Sequence, residues 1–347
     1  MPNGWSADPT SETGPSPLDR KAKHHRASDR FGPFTNTLPD ESCDPHTTFW
    51  QPSASETRLK ILPALEFYGN PVGSPRMAAI FWCTTCLNAS TRPRLTFDDN
   101  GRCSACQWQE KKRTIDWDHR SNQFKELLNR VNRINTPFDC IVPVSGGKDG
   151  SYVAHTVRER YGLTPLCVTV RPPLELPISH RNLLNFINSG FDHVLVSPNS
   201  AVMATIDRYG FEELGFPYYG WMTAIHTAVI HTAIAFDISI VIYGEDGEVE
   251  YGGSTEMEHE QVYDIDYMRK VYLEGGHDTV MDRLGDRRSQ AHLWNFPNGP
   301  INLQFTHWSY YESWDPYRNY LIAKEYCGLE ESKEANAGTF TNFAQND

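Results

Sequence analysis

The chain has 347 residues, of which 39% are hydrophobic and 22% charged, and its formal net charge is −12. Its length allows one large or two medium domains with a substantial core, and no apolar run approaches the ~20 residues that a membrane-spanning helix needs. The acidic balance argues against broad nucleic-acid binding, which gains its affinity by neutralising phosphates.

The amino-terminal part of the chain, residues 1–76, differs from the rest. It contains 11 of the 23 prolines, much Ser, Thr and Asp, and no sustained apolar periodicity. This composition predicts a disordered, proline-rich extension. The extension also lacks the apolar stretch of a secretory signal, so we expect a soluble cytoplasmic protein.

Two C-x-x-C pairs follow this extension. Cys83 and Cys86 form the first pair, Cys103 and Cys106 form the second, and 16 residues with a D-D-N-G turn sequence lie between them. Two such pairs at this distance are typical of a zinc ribbon, in which four thiolates close a tetrahedron around one Zn²⁺. We therefore predict a structural zinc site within residues 77–120, with redox-active or free thiols as the alternative interpretations.

Beyond residue 120 the pattern is that of an α/β fold. A connector helix is predicted over residues 122–134, and short apolar runs then alternate with segments of helical periodicity. This alternation predicts a parallel sheet with helices on both faces. The predicted strands are residues 138–144, 165–170, 193–197 and 238–243, and the predicted helices are residues 151–161, 181–189, 201–211 and 221–236.

A glycine-rich loop follows the first predicted strand, with the sequence Ser145-Gly146-Gly147-Lys148-Asp149-Gly150-Ser151. Strand, glycine turn and helix form a phosphate-binding arrangement, because glycines let the backbone approach an anion and a helix N-terminus directs amides at it. The serines add hydroxyl donors, Lys148 adds a cation, and Asp149 could hold Mg²⁺. The spacing is not that of a Walker A motif, and an ordinary glycine turn is the alternative interpretation.

Two further loops follow predicted strands, and ligands of parallel sheets bind at this edge. One begins at Arg171. The other, residues 244–253, has four glycines and the four carboxylates of Glu245, Asp246, Glu248 and Glu250. These carboxylates could hold Mg²⁺ or bind the hydroxyls of a sugar or ribose, and a flexible acidic surface loop is the alternative.

Two segments are dense in aromatic residues: 216–221, with Tyr219 and Trp221, and 307–318. Aromatic side chains with polar tips suit sugar or nucleotide faces, but they are also ordinary core residues, and both interpretations stay open. His226 and His231 lie on an apolar predicted helix, where we expect structural histidines rather than ligands.

Several motifs together resemble those of one enzyme family. They are C-T-T-C with T-R-P-R and C-S-A-C-Q-W, then S-G-G-K-D-G-S-Y, C-V-T-V-R-P-P, G-F-P-Y-Y-G-W, Y-G-E-D-G-E-V-E-Y-G-G and W-D-P-Y-R-N-Y. From about Met77 onward the chain resembles the N-acetyl sugar amidotransferases, a branch of the PP-loop (N-type) ATP pyrophosphatases, which cleave ATP between its α- and β-phosphates. One departure is that Gly150 separates Asp149 from Ser151, whereas the commonest superfamily loop has Ser directly after the Asp.

The resemblance implies a domain order and a reaction. It implies a zinc ribbon over residues 77–120, a PP-loop ATP pyrophosphatase domain of the adenine nucleotide α-hydrolase-like type over residues 121–260, and a mostly helical, aromatic region for substrate or a partner over residues 261–347. The implied reaction adenylates the N-acetyl carbonyl of a nucleotide-linked sugar and adds ammonia to give an acetamidino group. It serves lipopolysaccharide or surface-polysaccharide biosynthesis, including sugars of the pseudaminic or legionaminic type.

The resemblance also implies roles for individual residues. ATP would be held by residues 145–151 together with Thr169, Arg171, Gly244 and Glu245, and Mg²⁺ by Asp149 together with Asp246. The implied catalytic residues are Lys148, Asp149, Asp246 and Glu248. The implied sugar-binding residues are Tyr219, Trp221, Glu250, Tyr251, Gly252 and Gly253.

The sequence also predicts which partners the chain has. None of the remaining cysteines has the flanks of a glutaminase nucleophile, so we expect a separate glutaminase subunit to supply ammonia. Nucleic acid is not an expected partner, and homo-oligomerisation stays open. The alternative enzyme class is a PP-loop ATPase that modifies tRNA, for which residues 83–135, with ten Lys or Arg against six acids, would offer a basic surface.

Overall fold

A five-stranded parallel sheet forms the centre of the computed structural model, which describes residues 80–130, 136–298, 301–335 and 341–343. The strands lie side by side in the order β3-β2-β1-β4-β5. Their bounds are β1 Cys140–Pro143, β2 Pro165–Val170, β3 His193–Val196, β4 Ile240–Tyr243 and β5 Gln304–His307. The predicted extension over residues 1–76 lies outside the described residues.

Helices connect these strands and cover the sheet. Two helices precede the sheet, α1 Ser104–Lys111 and α2 Trp117–Arg130. Those between β1 and β4 are α3 Lys148–Tyr161, α4 Pro177–Asn188, α5 Ser200–Leu214 and α6 Tyr219–Ala235. The remaining helices are α7 Gly247–Glu250, α8 Ile265–Val271, α9 His277–Asp282, α10 Trp308–Tyr311 and α11 Pro316–Cys327. Within the described ranges, no helix has both the length and the apolar character to cross a membrane.

Both faces of the sheet are buried, and the residues of β1 show how. Cys140 and Val142 pack into one cluster with Tyr152 of α3, whereas Ile141 packs into the opposite cluster with Val229 of α6. Successive side chains of a strand point to opposite faces, so a strand covered on both sides reads as a continuous apolar run. This is why the sequence pattern located β1, β2 and β4; β3, at the edge of the sheet, is an apolar run that is only partly covered.

The predicted α/β fold class is confirmed, with differences at the margins. β1 and β4 begin two residues later than predicted, and the prediction missed β5 entirely. β5 has four residues with the sequence Q-F-T-H, too short and too polar for periodicity to identify. Its pairing with β4 (Ile240 opposite Gln304, Tyr243 opposite His307) is what makes it a strand.

The strand order places a crevice at the centre of the sheet. The chain runs from β1 to β2 and β3 on one side, then crosses to β4 and β5 on the other. Ligands of open α/β sheets bind where the order reverses in this way, outside the carboxyl ends of the strands. Here that position lies between the loop after β1 and the loop after β4.

Candidate functional site

In the loop after β1, two glycines occupy positions where a side chain would collide with neighbouring backbone. Gly146 has a φ of +87°, and a Cβ there would lie 2.4 Å from the backbone nitrogen of Leu183. Gly150 lies in the first turn of α3, where a Cβ would lie 2.8 Å from the carbonyl oxygen of Pro143. Close approach of α3 to the end of β1 therefore requires glycine at position 150. The departure from the commonest loop has a packing reason here.

Lys148 and Asp149 form the charged part of this loop. They are the first two residues of α3, and Gly147 is its N-cap, without a side chain to occupy the first amides. Lys148 Nζ lies 2.5 Å from Asp149 Oδ2, and Asp149 Oδ1 accepts a hydrogen bond of 3.2 Å from Asn319 Nδ2 on α11. A helix N-terminus with free amides, flanked by an ammonium group, is suited to bind a phosphate group.

Glu245 is the carboxylate of the 244–253 loop that lies near Asp149. A Cβ on Gly244 would lie 3.5 Å from the Cβ of Asp149, so the turn after β4 packs against the start of α3. Burial raises the pKa of Glu245; a hydrogen bond of 2.8 Å from Tyr251 opposes the rise, and the charge of Asp149 adds to it. Two neighbouring carboxylates beside a phosphate loop are a suitable ligand set for Mg²⁺.

Asp246, which was predicted to be catalytic, caps a short helix in the structure. Its Oδ1 accepts hydrogen bonds from the backbone of Glu248 (3.0 Å) and Val249 (3.4 Å), so it is the N-cap of α7. Tyr272 also donates to Oδ1, at 3.3 Å, and Asp246 is only 5% exposed. Capping thus already uses the Asp246 carboxylate, and its catalytic role stays a prediction.

Glu248 connects the 244–253 loop to the segment between the two cysteine pairs, through Arg94. Its two carboxylate oxygens accept hydrogen bonds of 2.8 and 2.6 Å from Arg94, and one of them accepts a bond of 2.7 Å from the backbone nitrogen of Ser254. Arg94 also pairs with Glu274 at 2.6 Å. These bonds lower the pKa of Glu248 in spite of its burial, which is the largest single influence and acts in the opposite direction. They indicate a positioning role.

Two of the predicted sugar-binding residues of this loop, Glu250 and Gly252, contact residues 104–112. Glu250 is 5% exposed and pairs with Lys112 at 2.8 Å. A Cβ on Gly252 would lie 2.4 Å from the backbone nitrogen of Ala105, and the Gly252 carbonyl accepts a bond of 2.7 Å from Ser104 Oγ. A Cβ on Gly253 would lie 2.0 Å from Glu248 Oε2. The glycines thus permit close packing, and Tyr251, 44% exposed, remains accessible.

A cavity of about 440 Å³ adjoins the phosphate loop. Trp221 and Met222 of α6 form one wall, and the ends of β2 and β4 form others. The predicted residues that line the cavity are Ser145, Gly150, Thr169, Trp221, Glu245 and Glu248. The site therefore brings together residues from four separate parts of the sequence. Sequence reasoning missed Asn319, which was visible only as part of the W-D-P-Y-R-N-Y motif.

Some predicted residues lie away from this cavity. Tyr219 is fully buried and donates a hydrogen bond of 3.0 Å to the carbonyl of Leu273, so it belongs to the core. Ser151 is 1% exposed, and its hydroxyl has no partner within the described part of the chain. Arg171 is half-exposed and pairs with Glu175 at 3.1 Å, beside a smaller cavity that it shares with Ser145. Any contact of Ser151 or Arg171 with ATP remains a prediction.

Thr169 supports the phosphate loop from the neighbouring strand. Its Oγ1 lies 2.5 Å from the carbonyl oxygen of Val144 and 2.8 Å from Nε2 of His193. The hydroxyl donates to that carbonyl, which directly precedes Ser145. Thr169 thus fixes the start of the loop while lining the cavity.

The four cysteines of the two C-x-x-C pairs converge on one point. Their sulfur atoms all lie within 4.8 Å of one another, with 3.9 Å between Cys83 and Cys106 and 3.6 Å between Cys86 and Cys103. A tetrahedral ion with metal–sulfur bonds of about 2.3 Å would place its sulfurs about 3.8 Å apart. The observed separations fit one such ion.

The backbone around these cysteines also suits thiolates. Backbone amides of Thr85 and Cys103 donate to the sulfur of Cys83, at 3.3 and 3.2 Å. The predicted turn between the pairs is present: Gly101 has a φ of +74°, and Phe97 pairs with Cys103 across it. Of the second pair, Cys103 is the N-cap of α1 and Cys106 lies in its first turn; this helix was not predicted from the sequence.

Two histidines that were expected to be structural have different environments. His231 is satisfied, because its Nε2 lies 3.0 Å from the carbonyl oxygen of Asn295. His226 lines the cavity, and its Nε2 has no hydrogen-bond partner among the residues the structure describes. His307, at the end of β5, lines the same cavity.

The comparisons with known proteins leave the family of the chain open. No protein-family model matches it, and no curated protein matches it. Among solved structures, it is similar to the U34-tRNA thiolase NcsA from Methanococcus maripaludis with its 4Fe-4S cluster: TM-score 0.35, 13% identity, covering 76% of this chain and 77% of that one.

Two further solved structures show a similarly low likeness. One is a predicted subunit of tRNA methyltransferase from Methanocaldococcus jannaschii, with a TM-score of 0.32 and 17% identity over 58% of this chain and 81% of that one. The other is NH3-dependent NAD synthetase from Campylobacter jejuni, with a TM-score of 0.29 and 12% identity over 54% of this chain and all of that one. Likenesses at this level carry no argument about activity.

Proposed function

We propose that this chain is an ATP-dependent amidotransferase that adenylates the N-acetyl carbonyl of a nucleotide-linked sugar and adds ammonia, releasing AMP and pyrophosphate. One observation carries the proposal. The N-terminus of α3, the ammonium of Lys148 and the carboxylates of Asp149 and Glu245 lie beside a cavity of about 440 Å³. The motif resemblance supplies the identity of that substrate.

The first chemical step activates a poor electrophile. The oxygen of the acetamido group attacks the α-phosphorus of ATP, the bond from that phosphorus to the bridging oxygen breaks, and pyrophosphate leaves. The product is an imidate that carries AMP on its oxygen, and the amide proton is released. Lys148 and the amides at the start of α3 bind the departing pyrophosphate, whose charge grows as the bond breaks.

The second step replaces AMP. Ammonia adds to the imidate carbon, AMP leaves with its oxygen, and the acetamidino group gains a proton at neutral pH. Neither step forms a bond to the protein, so the residues act by positioning the reactants and stabilising charge. We propose that a separate glutaminase subunit supplies the ammonia.

Two metal ions complete the proposal. Asp149 and Glu245 would hold Mg²⁺, which neutralises phosphate charge when it is bound. Cys83, Cys86, Cys103 and Cys106 would hold Zn²⁺, and four thiolates leave no open position, so this metal stabilises the fold of residues 80–114. Its effect on activity would pass through the contacts of Arg94 and Lys112 with the 244–253 loop.

The tRNA-modifying alternative gains no support from the charge distribution. Three of the ten basic residues between positions 83 and 135, namely Arg94, Lys111 and Lys112, bond carboxylates of Glu248, Glu258 and Glu250. Positive charge that is already paired with these carboxylates contributes less to binding of a phosphate backbone.

The experiment is an assay of AMP and pyrophosphate release with ammonium. Release is measured with each of a panel of UDP- and CMP-linked N-acetyl sugars and, separately, with tRNA. The mass of the sugar product is then measured; it should decrease by about 1 Da, because an oxygen atom is exchanged for an N–H group. Release that depends on a sugar, with formation of an acetamidino product, supports the proposal. Release stimulated by tRNA alone refutes it.

A further inference from the structure

A group of buried histidine and tyrosine side chains lies where the cavity meets β4 and β5. Tyr243 is the last residue of β4, His307 is the last residue of β5, and His226 comes from α6. All three line the cavity, together with Tyr263 and Tyr272. None of these five residues was assigned to the site from the sequence.

His226 has an unmet hydrogen-bonding requirement. It is 6% exposed; its Nδ1 lies 3.1 Å from the hydroxyl of Tyr243, and its Nε2 has no partner within the described ranges. Native proteins seldom leave a buried polar atom unpaired, because desolvating it without a partner costs folding free energy. His231, five residues further along α6, has its Nε2 satisfied by a backbone carbonyl. The exception at His226 borders the cavity, so a bound molecule can supply the missing partner.

The contact with Tyr243 favours one tautomer of His226. When the Tyr243 hydroxyl donates to Nδ1, both groups are satisfied and the ring proton lies on Nε2. Tyr243, Tyr272 and His307 face the ring, and Asp246 lies behind His307, 3.9 Å from its Nδ1. Burial, with a smaller contribution from the neighbouring His307, lowers the pKa of His226 to about 3. A neutral imidazole with Nε2–H is a hydrogen-bond donor and a poor base.

The two ends of the cavity suit different ligands. At the β2 end, Val170 and Trp221 offer flat, apolar surface of the kind that packs against a nucleobase. At the β4–β5 end, His226, Tyr243 and His307 combine aromatic faces with polar atoms, which suits a molecule with hydroxyl and amide groups. The phosphate loop lies between these ends, so a nucleoside bound at one end leaves the other for the acceptor.

We propose that His226 is a specificity-determining residue for the acceptor substrate, and that its Nε2–H donates a hydrogen bond to an oxygen of an N-acetyl sugar at the β4–β5 end of the cavity. This inference rests on the proposed function. It adds a specificity-determining residue to the same site.

Steady-state kinetics provides the first test. His226→Phe keeps the ring but removes both nitrogens, and we expect KM for the nucleotide-linked sugar to rise about tenfold, the effect of losing one well-placed hydrogen bond. KM for ATP should change less than twofold. His226→Gln, whose amide can donate, should recover part of the loss. His231→Gln, on the same helix, is the matched control and should leave both values unchanged. A rise in KM for ATP alone would overturn the assignment.

Nitrogen-15 NMR of histidine-labelled protein tests the inference without relying on turnover. We expect the His226 ring to show the Nε2–H tautomer, without titrating between about pH 5 and 8. Its Nε2–H signal should shift with at least one sugar of the UDP- and CMP-linked panel, and not with α,β-methylene-ATP and Mg²⁺. A response to the ATP analogue alone, or an Nδ1–H tautomer, contradicts the proposal. A sugar that shifts the signal but is never amidated refutes the proposed function and not the contact.

A double variant separates binding from folding. His226→Phe combined with Tyr243→Phe removes both members of the buried pair, so no new unpaired atom remains. We expect its melting temperature without ligand to equal or exceed that of the unmodified chain, while sugar binding is weakened. A melting temperature well below that of the unmodified chain would show that His226 is structural and would overturn the proposal.

Discussion

Arg94 and Glu248 join two parts of the molecule that are 154 residues apart in sequence. The guanidinium donates two hydrogen bonds, of 2.8 and 2.6 Å, to the two carboxylate oxygens. Arg94 belongs to the segment between the cysteine pairs, and Glu248 belongs to the loop that lines the cavity. The segment between the cysteine pairs and the candidate site are thus linked through paired, charge-assisted hydrogen bonds of a geometry specific to arginine.

We expect Arg94→Met to lower ATP cleavage without releasing metal. Loss of both bonds leaves the Glu248 carboxylate, whose side chain is 16% exposed, without its cation, at a cost of about 1–3 kcal/mol in the free energy of unfolding. Arg102→Met is the matched control, because Arg102 forms its ion pair with Glu110, which is well exposed. Equal AMP release by the two variants would contradict the link.

Removal of metal should also abolish AMP release. Chelation, or Cys103→Ser, is expected to unfold the unit held by the four cysteines and thereby free the 244–253 loop, because Ser104 and Lys112 no longer hold Gly252 and Glu250. Metal analysis of the purified chain should find one Zn²⁺ per molecule. Full activity in the metal-free protein would show that the loop keeps its position unaided.

Lys148→Ala and Asp149→Asn should each reduce kcat/KM for AMP formation by at least about 100-fold, the size of effect expected from losing a charge at a developing phosphate charge. The four-cysteine centre does not contact these residues, so metal content should stay unchanged. Lys125→Ala, on the exposed side of α2, serves as the control. Near-normal rates in both loop variants would remove the loop from the mechanism.

Gly146→Ala should disrupt the phosphate loop. A Cβ there meets the backbone of Leu183 and Asn182 at 2.4–2.8 Å, at a φ that L residues rarely adopt. Gly162→Ala shares the positive φ of +63° but meets nothing within 4 Å, so it should cost only about 1 kcal/mol. Urea unfolding and ATP binding compare the two variants. A Gly146 variant no worse than the Gly162 variant would contradict the close approach.

The pH dependence of Mg²⁺ binding should reveal Glu245. Its pKa is raised in the folded chain, mainly by burial, so Mg²⁺ affinity should fall as pH drops through that raised value. Because the pKa of Glu245 is higher in the folded chain than in the unfolded chain, the free energy of unfolding should fall as pH rises from the unfolded pKa to the folded pKa. Glu245→Gln should therefore stabilise the ligand-free chain at neutral pH and abolish this step in Mg²⁺ affinity. Calorimetry at a series of pH values measures both effects.

Much of the architecture was predictable because its signals are local. Strands β1 to β4 are apolar runs, the cysteine pairs have metal-binding spacing, and the phosphate loop is a contiguous motif. β5 was not predictable, since its four residues become a strand only by pairing with β4. The proposed domain boundaries at residues 76, 120 and 260 stay predictions.

The sequence by itself determined that a glycine-rich loop follows a buried strand, and that four cysteines form two C-x-x-C pairs, because both features depend on neighbours within a few residues. Only the tertiary structure decided which carboxylate lies beside Asp149. Glu245 and Asp246 are adjacent in sequence, yet one faces the loop and the other caps α7. It also decided that Glu248 and Gly252 contact a distant segment, residues 94–105, since side-chain direction at a turn depends on what packs against it.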